Sequence, residues 1–349
     1  MPTMGTFMLD REGQEAAEIL ARARCAVDPV LRAAVASLPG SLRRIAGYHL
    51  GWLDAAGEAD EAPSGKAIRP ALVLAAAQAL GGSARAAVTA AAAVELVHNF
   101  TLLHDDVMDR DPTRRHRPTA WAVFGSADAI LAGDALHALA LRLLAEDGHP
   151  AAGRAAGRLA ACVIELCDGQ QADCAFERRP DVSLAECLAM AEAKTGALLG
   201  CACALGALYA GAGDEVADAM DAFGRQVGLA FQLIDDLIGI WGDPSVTGKP
   251  VGADLVARKK SLPVVAALRS ATPAGRELAG LYRVERALTA EEVLRATDAV
   301  DRAGGRDWAQ TQACDRMAEA IGHLSGAVPD GTAAGDLLAL AELVTRRSH

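Results

Sequence analysis

Aromatic residues make up only 4% of this 349-residue chain, with six Phe, four Trp and three Tyr. No long alternating run of β-branched residues is present, which argues against a sheet-based core. No C-x-x-C pair occurs among Cys162, Cys167, Cys174, Cys187, Cys201 and Cys203. The opening MPTMGTFMLDREGQEAAEIL lacks a basic region followed by an apolar core. Reduced, mostly buried thiols in a cytoplasmic protein are therefore expected rather than a disulfide framework. A net charge of −11 speaks against a nucleic-acid partner. There is no internal repeat, no Pro/Gly-rich linker, no Walker-type G-x-x-x-x-G-K-S/T loop, and no Ser–His or Cys–His arrangement.

Apolar residues instead recur at spacings of three and four, in blocks rich in Ala and Leu. Breaks fall at Glu58–Gly65, Gly148–Pro150, Arg178–Ser183, Gly211–Asp214, Ala271–Gly275 and Val328–Gly335. Ser183 followed by Glu186 has the spacing of a helix N-terminal capping box. The pattern predicts one all-α domain, residues 1–349, of ten or more helices, with 1–20 as a candidate flexible segment. Thr195–Gly213 is uncharged for 19 residues, near the length of a membrane span. No second span accompanies it, so a buried central helix is expected and no membrane span.

Two aspartate-rich segments stand out, LLHDDVMD (Leu102–Asp109) and FQLIDDLIGIWGD (Phe231–Asp243), about 130 residues apart. Asp105 and Asp109 lie four apart and share a helical face with His98, so they can share a metal ion. Asp106 points aside, which suits support of its neighbours. Arg114 and Arg115 follow in a loop, and guanidinium forks match phosphate oxygens. Arg117, in the same loop, is better placed to pair with local acids. Lys66 and Arg69 stand near the start of a helix, where cations and the helix dipole both favour an anion. In the second segment Gln232, Asp235, Asp236 and Asp243 carry the polar side of an apolar helix. Lys194–Thr195, Lys249 and Lys259 add hydroxyl and ammonium groups nearby in sequence. Glu95 and His98 form an E-x-x-H pair, but no second helical pair supports a di-iron site.

In this order the motifs resemble the trans-isoprenyl diphosphate synthase, or polyprenyl synthetase, family. They are G-K-x-x-R-P (Gly65–Pro70), His98, D-D-x-x-D (Asp105–Asp109), R-R (Arg114, Arg115), K-T-G (Lys194–Gly196), Q-x-x-D-D (Gln232–Asp236), G-K (Gly248, Lys249) and K-x-S-L-P (Lys259–Pro263). The motif core spans about 65–267. The resemblance implies a helical bundle around a deep central cavity. It further implies three Mg²⁺ ions bridging Asp105, Asp109 and Asp235 to an allylic diphosphate. Arg114, Lys194, Thr195, Gln232, Lys249 and Lys259 match positions that contact that diphosphate or its metals, with Asp106 and Asp236 behind them. Lys66, Arg69, His98 and Arg115 match positions that hold isopentenyl diphosphate. The implied reaction is head-to-tail condensation to a short all-trans prenyl diphosphate by a homodimer.

Two positions depart from the family pattern. Gly239 stands where many members carry the last aspartate of the second motif, and His116 replaces the glycine of R-R-G. Upstream of Asp105, Phe100 and Thr101 match the positions that set product length. One aromatic beside a small residue resembles the C20 geranylgeranyl pattern, with C15 farnesyl as the alternative. A class I terpene cyclase fits less well, because position 239 is Gly and position 243 is Asp where Ser/Thr and Glu are usual. A non-catalytic partner subunit would typically have lost an aspartate motif, and both are here. The short N-terminal extension is compatible with packaging in an encapsulin shell but gives that reading no support.

Overall fold

A computed structural model describes residues 4–62, 65–179, 181–243, 251–284 and 286–345, with side chains from Gln14 onward. Among the described residues the regular structure is helical, apart from a hairpin of two two-residue strands, Thr113–Arg114 (β1) with Arg117–Pro118 (β2), and an isolated bridge between Leu53 and Ala59. The described residues gather into two compact units: Met1–Val163 with Cys201–Asp221 and Leu324–Leu340, and Ile164–Gly200 with Ala222–His323 and Ala341–His349.

In the first unit the helices are α1 (Met4–Ala36), α2 (Gly40–His49), α3 (Ile68–Ala79), α4 (Val88–Met108), α5 (Ala120–Phe124) and α6 (Ser126–Ala145). The N-terminal part of α7 (Ala152–Phe176) joins them. α4 lies at the centre, against α6, α3 and α1. Every residue from Ala90 to Val97 is buried, and most are alanine or another small aliphatic, so neighbouring backbones approach closely. This buried run points the polar C-terminal turns of α4 toward the end where Asp105 and Asp109 stand.

The second unit begins in α7 and continues through α8 (Leu184–Ala191). The capping box expected at Ser183 is formed, with the hydroxyl accepting from Glu186 N–H and the Glu186 carboxylate from Ser183 N–H. The apolar stretch after it is interrupted by a single π-turn, Glu192–Gly196, before α9 (Ala197–Tyr209). Leu184–Tyr209 is long and apolar enough to cross a membrane, but two-thirds of that window (67%) is buried within the protein. The central helix is α10 (Asp214–Trp241), whose Leu229, Leu233 and Leu237 pack with Cys187, Ala191, Leu262 and Val265. α11 (Ala253–Val256), α12 (Leu262–Arg269), α13 (Pro273–Tyr282), α14 (Ala290–Arg302) and α15 (Gly305–Ala327) follow, and α16 (Gly335–Thr345) ends the described chain. Gly228 allows α10 to touch the π-turn: a Cβ there would stand 2.6 Å from Gly196 Cα.

All eight cysteines are free thiols. Cys162, Cys187, Cys201 and Cys203 are buried as expected, but Cys167 is exposed and Cys174 half-buried on α7, on the polar side of that helix.

Candidate active site

Asp105 and Asp106 close the last turn of α4, and Asp109 caps it by donating its N–H to the Asp105 carbonyl at 2.8 Å. Asp105 is half-buried and Asp109 exposed, four residues apart on one side of the helix. Asp106 turns inward, as its offset predicts. Only 2% of it is exposed, and Arg114 donates to its Oδ1 from Nε at 2.8 Å and Nη2 at 2.7 Å. Burial lifts the Asp106 pKa, and Arg114 pulls against that shift. This buried ion pair ties the loop arginine to the helix that bears the outer carboxylates.

Among the described residues no three His, Cys, Asp or Glu side chains gather into a metal cage. Hard carboxylate oxygens in ones and twos are the donor set that suits Mg²⁺, which keeps waters and takes its remaining ligands from phosphate. Asp105 and Asp109 fit that ion.

Arg114 and Arg117 pair across the hairpin, so Arg115 and His116 form its two-residue turn. Both have positive φ, 53° and 62°. A primed turn matches the twist of the two strands but normally takes Asn or Gly. His116 stands where the resembled R-R-G pattern has glycine, and it holds this left-handed conformation under strain. The turn aims Arg115 at the Gly65 backbone, where a Cβ would stand 2.9 Å from Nη2. Arg117 is structural, as its place in the sequence suggested. It donates to the Leu53 carbonyl at 2.7 Å, pairs with Asp60 at 3.2 Å and stacks on Tyr48.

Lys66 stands just before α3, and Arg69 lies in its first turn. Arg69 Nη1 approaches His98 Nε2 at 3.3 Å. Arginine has no acceptor, so it must donate, which leaves the imidazole proton on Nδ1. Burial first, then Arg69, Arg115 and Arg114, drive the His98 pKa well below its ordinary value. His98 is thus a neutral donor inside a set of cations. Glu95 partners Asn99 Nδ2 at 3.2 Å instead of forming a metal pair with His98. His49 was not singled out in the sequence. Its Nε2 is buried without a partner, and burial with Arg114 and Arg115 lowers its pKa to about 3.

In the second unit the π-turn carries Lys194 and Thr195. Lys194 Nζ pairs with Asp173 at 2.6 Å, and Thr195 Oγ1 donates to Gln232 Oε1 at 2.8 Å. Gln232 Nε2 donates to Asp236 Oδ1 at 2.9 Å, and Asp236 Oδ2 accepts the Leu262 N–H at 2.8 Å. Asp236 also faces Lys259 Nζ at 3.7 Å. Burial raises the Asp236 pKa to about 6. Burial opposes the Lys259 charge too, but Asp236, Asp254, Asp173 and Asp235 together raise its pKa above the ordinary lysine value. Asp235, beside this buried network, is exposed. Lys249 lies outside the described residues.

The departure at Gly239 has a steric counterpart. A Cβ at that position would stand 2.3 Å from the Asp254 Oδ2, so a carboxylate from α11 occupies the space a 239 side chain would enter. Asp254 was not singled out by sequence spacing.

Phe100 is 8% exposed and turned toward α6. It stacks on His137 at 5.2 Å and meets the edge of His104 at 4.8 Å. Thr101 is half-buried, its hydroxyl donating to the His98 carbonyl at 2.8 Å.

Residues 51–300 match the family model described as polyprenyl synthetase. The chain belongs to the polyprenyl synthetase family. It is 53% identical over 330 residues to a geranylgeranyl diphosphate synthase of Mycobacterium tuberculosis, covering 94% of this chain and 93% of that one. It is 44% identical over 342 residues to a (2E,6E)-farnesyl diphosphate synthase of Mycobacterium bovis, covering 97% and 95%. A polyprenyl synthetase crystal structure from Streptomyces coelicolor A3(2) superposes with a TM-score of 0.90 at 45% identity, covering 94% of this chain and 98% of that one. The expected all-α fold and family are thereby established.

Proposed function

We propose that this polyprenyl synthetase condenses isopentenyl diphosphate with allylic diphosphates to make a short all-trans product, geranylgeranyl diphosphate (C20). The observation that carries this reading is the group of cations around neutral His98. Arg69 approaches His98 at 3.3 Å, Arg115 and Arg114 act on it electrostatically, and Lys66 stands on the adjoining loop. Chain elongation needs two diphosphate seats, whereas a cyclase needs one.

Under this reading Lys66, Arg69, Arg115 and the Nδ1–H of His98 hold isopentenyl diphosphate. Lys194, Thr195, Gln232, Lys259, Arg114 and, by its motif, Lys249 hold the allylic diphosphate. Asp105, Asp109 and Asp235 would hold Mg²⁺, three ions by family likeness, which when bound offsets charge on the leaving group. The allylic C–O bond breaks with its electron pair on the diphosphate. The isopentenyl double bond then attacks the allylic carbon, and the departing diphosphate accepts the proton that is lost. No side-chain nucleophile is required. Asp106 and Asp236 orient Arg114, Gln232 and Lys259 from behind. The free cysteines support a reducing, cytoplasmic location.

Incubation with Mg²⁺, isopentenyl diphosphate and each allylic primer should give C20 product on sizing. C15 product would select the farnesyl alternative, and no elongation with any primer would refute the synthase reading. Asp105→Ala should reduce turnover by at least about a thousandfold, and retained activity would refute its metal role.

A further inference from the structure

Lys66 lies outside α3, so the rigidity of that helix does not place it. It follows Gly65 and precedes Ala67, a non-glycine residue with φ of 56°. A tether is needed to hold such a segment in one conformation. One comes from α1: Arg24 Nη2 donates to the Gly65 carbonyl. Arg115 reaches the same glycine from the hairpin. Arg24 and Lys66 also line one cavity of about 640 Å³, between α1 and the loop that follows α2. Three acids stand in its wall, Glu61 together with Asp28, paired with Arg32 at 2.6 Å, and Asp60, paired with Arg117 at 3.2 Å. Arg24 acts electrostatically on both Glu95 and Arg115, which places it within the field of the His98 cation group.

We propose that Arg24 is a positioning residue for isopentenyl diphosphate. It fixes the Gly65–Lys66 backbone from α1 and adds a further positive charge to that seat. This rests on the assignment of Lys66, Arg69, His98 and Arg115 given above. Arg24 is exposed, so its replacement removes no core packing.

The test measures saturation by each substrate separately, together with direct calorimetric binding of isopentenyl diphosphate. Arg24→Ala should raise the KM and the Kd for isopentenyl diphosphate roughly tenfold, the scale of one charge-assisted hydrogen bond. The KM for the allylic primer and kcat should stay within about twofold. Arg24→Lys, which keeps the charge, should recover part of the loss, and Arg24→Gln should recover less. A generally loosened fold would instead lower kcat, affect both substrates and depress the melting temperature, and that pattern overturns the proposal. So does an unchanged isopentenyl diphosphate KM in Arg24→Ala when Lys66→Ala raises it. If Lys66→Ala also leaves that KM unchanged, the underlying site assignment fails and takes this proposal with it.

Discussion

Positive φ at non-glycine residues marks the loops that carry the candidate cations. Ala67 sits between Lys66 and Arg69, Arg115 is itself such a residue, His116 follows it, and Arg258 precedes Lys259. Each left-handed non-glycine costs on the order of 1 kcal/mol, a strain retained where side-chain direction matters. His116→Gly should therefore stabilise the fold by about 0.5–1 kcal/mol, read as a higher urea midpoint. An unchanged or lower midpoint would show that the His116 side chain supplies a compensating contact. The R-R-G departure could be read from sequence, but its cost could not, since φ depends on the hairpin register. Gly239 makes the same point. As a letter it is a lost carboxylate, whereas in the fold it is the space that Asp254 fills.

Two helices, α4 and α6, determine what Phe100 can do. Helical spacing places Thr101 one turn below Asp105 and leaves Phe100 off that face. The tertiary packing shows where Phe100 goes: between His104 and His137, with His104 held by the Ile130 carbonyl at 3.0 Å and pressed against Gly133. A Cβ at Gly133 would stand 2.4 Å from the His104 ring, so the ring stack depends on that glycine. If this boxed ring limits the product tail, Phe100→Ala should lengthen the product by at least one C5 unit on sizing. It should also cost about 3–5 kcal/mol of stability, as a buried aromatic deletion does. Products of unchanged length from a destabilised variant would leave Phe100 as a packing residue alone. The capping box at Ser183 was readable from two letters because its chemistry is local. The π-turn at Lys194 was not, because it lies where the chain packs against α10 at Gly228, a contact between distant segments.

Across the whole molecule, buried titratable groups tie stability to pH. His49 and His98 have depressed pKa values, so the native state refuses protons that the unfolded chain accepts below about 6.5. Their contribution is present above that pH and is lost on acidification, by about 1.4 kcal/mol per pH unit for each. Asp236, raised to about 6, acts in the opposite sense: its contribution is present at low pH and is lost as pH rises through 6. Glu95 and Asp106 are raised by burial as Asp236 is, and His137 is lowered as the other two histidines are, so the two sets oppose one another. His49→Gln removes one buried imidazole from the balance, so between pH 7 and pH 5 its urea midpoint should shift upward relative to the wild type's. An identical pH dependence in wild type and His49→Gln would contradict the burial of this imidazole. For the homodimer that the family resemblance implies, Ile130 and Leu131 on α6, 39% and 55% exposed, are one apolar pair whose role in self-association can be tested. Sedimentation equilibrium should give twice the chain mass, and Leu131→Glu should shift it toward the monomer. A wild-type monomer at micromolar concentration would exclude this.

The sequence by itself determined the helical class, most of the breaks and the family, and it named the cations and carboxylates proposed for the site. These depend on residue type, short spacing and order along the chain, all of which survive without coordinates. Only the tertiary structure decided partners: Asp106 with Arg114, Lys194 with Asp173, Asp236 with Lys259, Arg24 with Gly65. Such pairs join segments up to dozens of residues apart, and no local periodicity records them. The same is true of protonation. A neutral His98 and a lifted Asp236 arise from burial among particular neighbours, which exist only once the helices have packed.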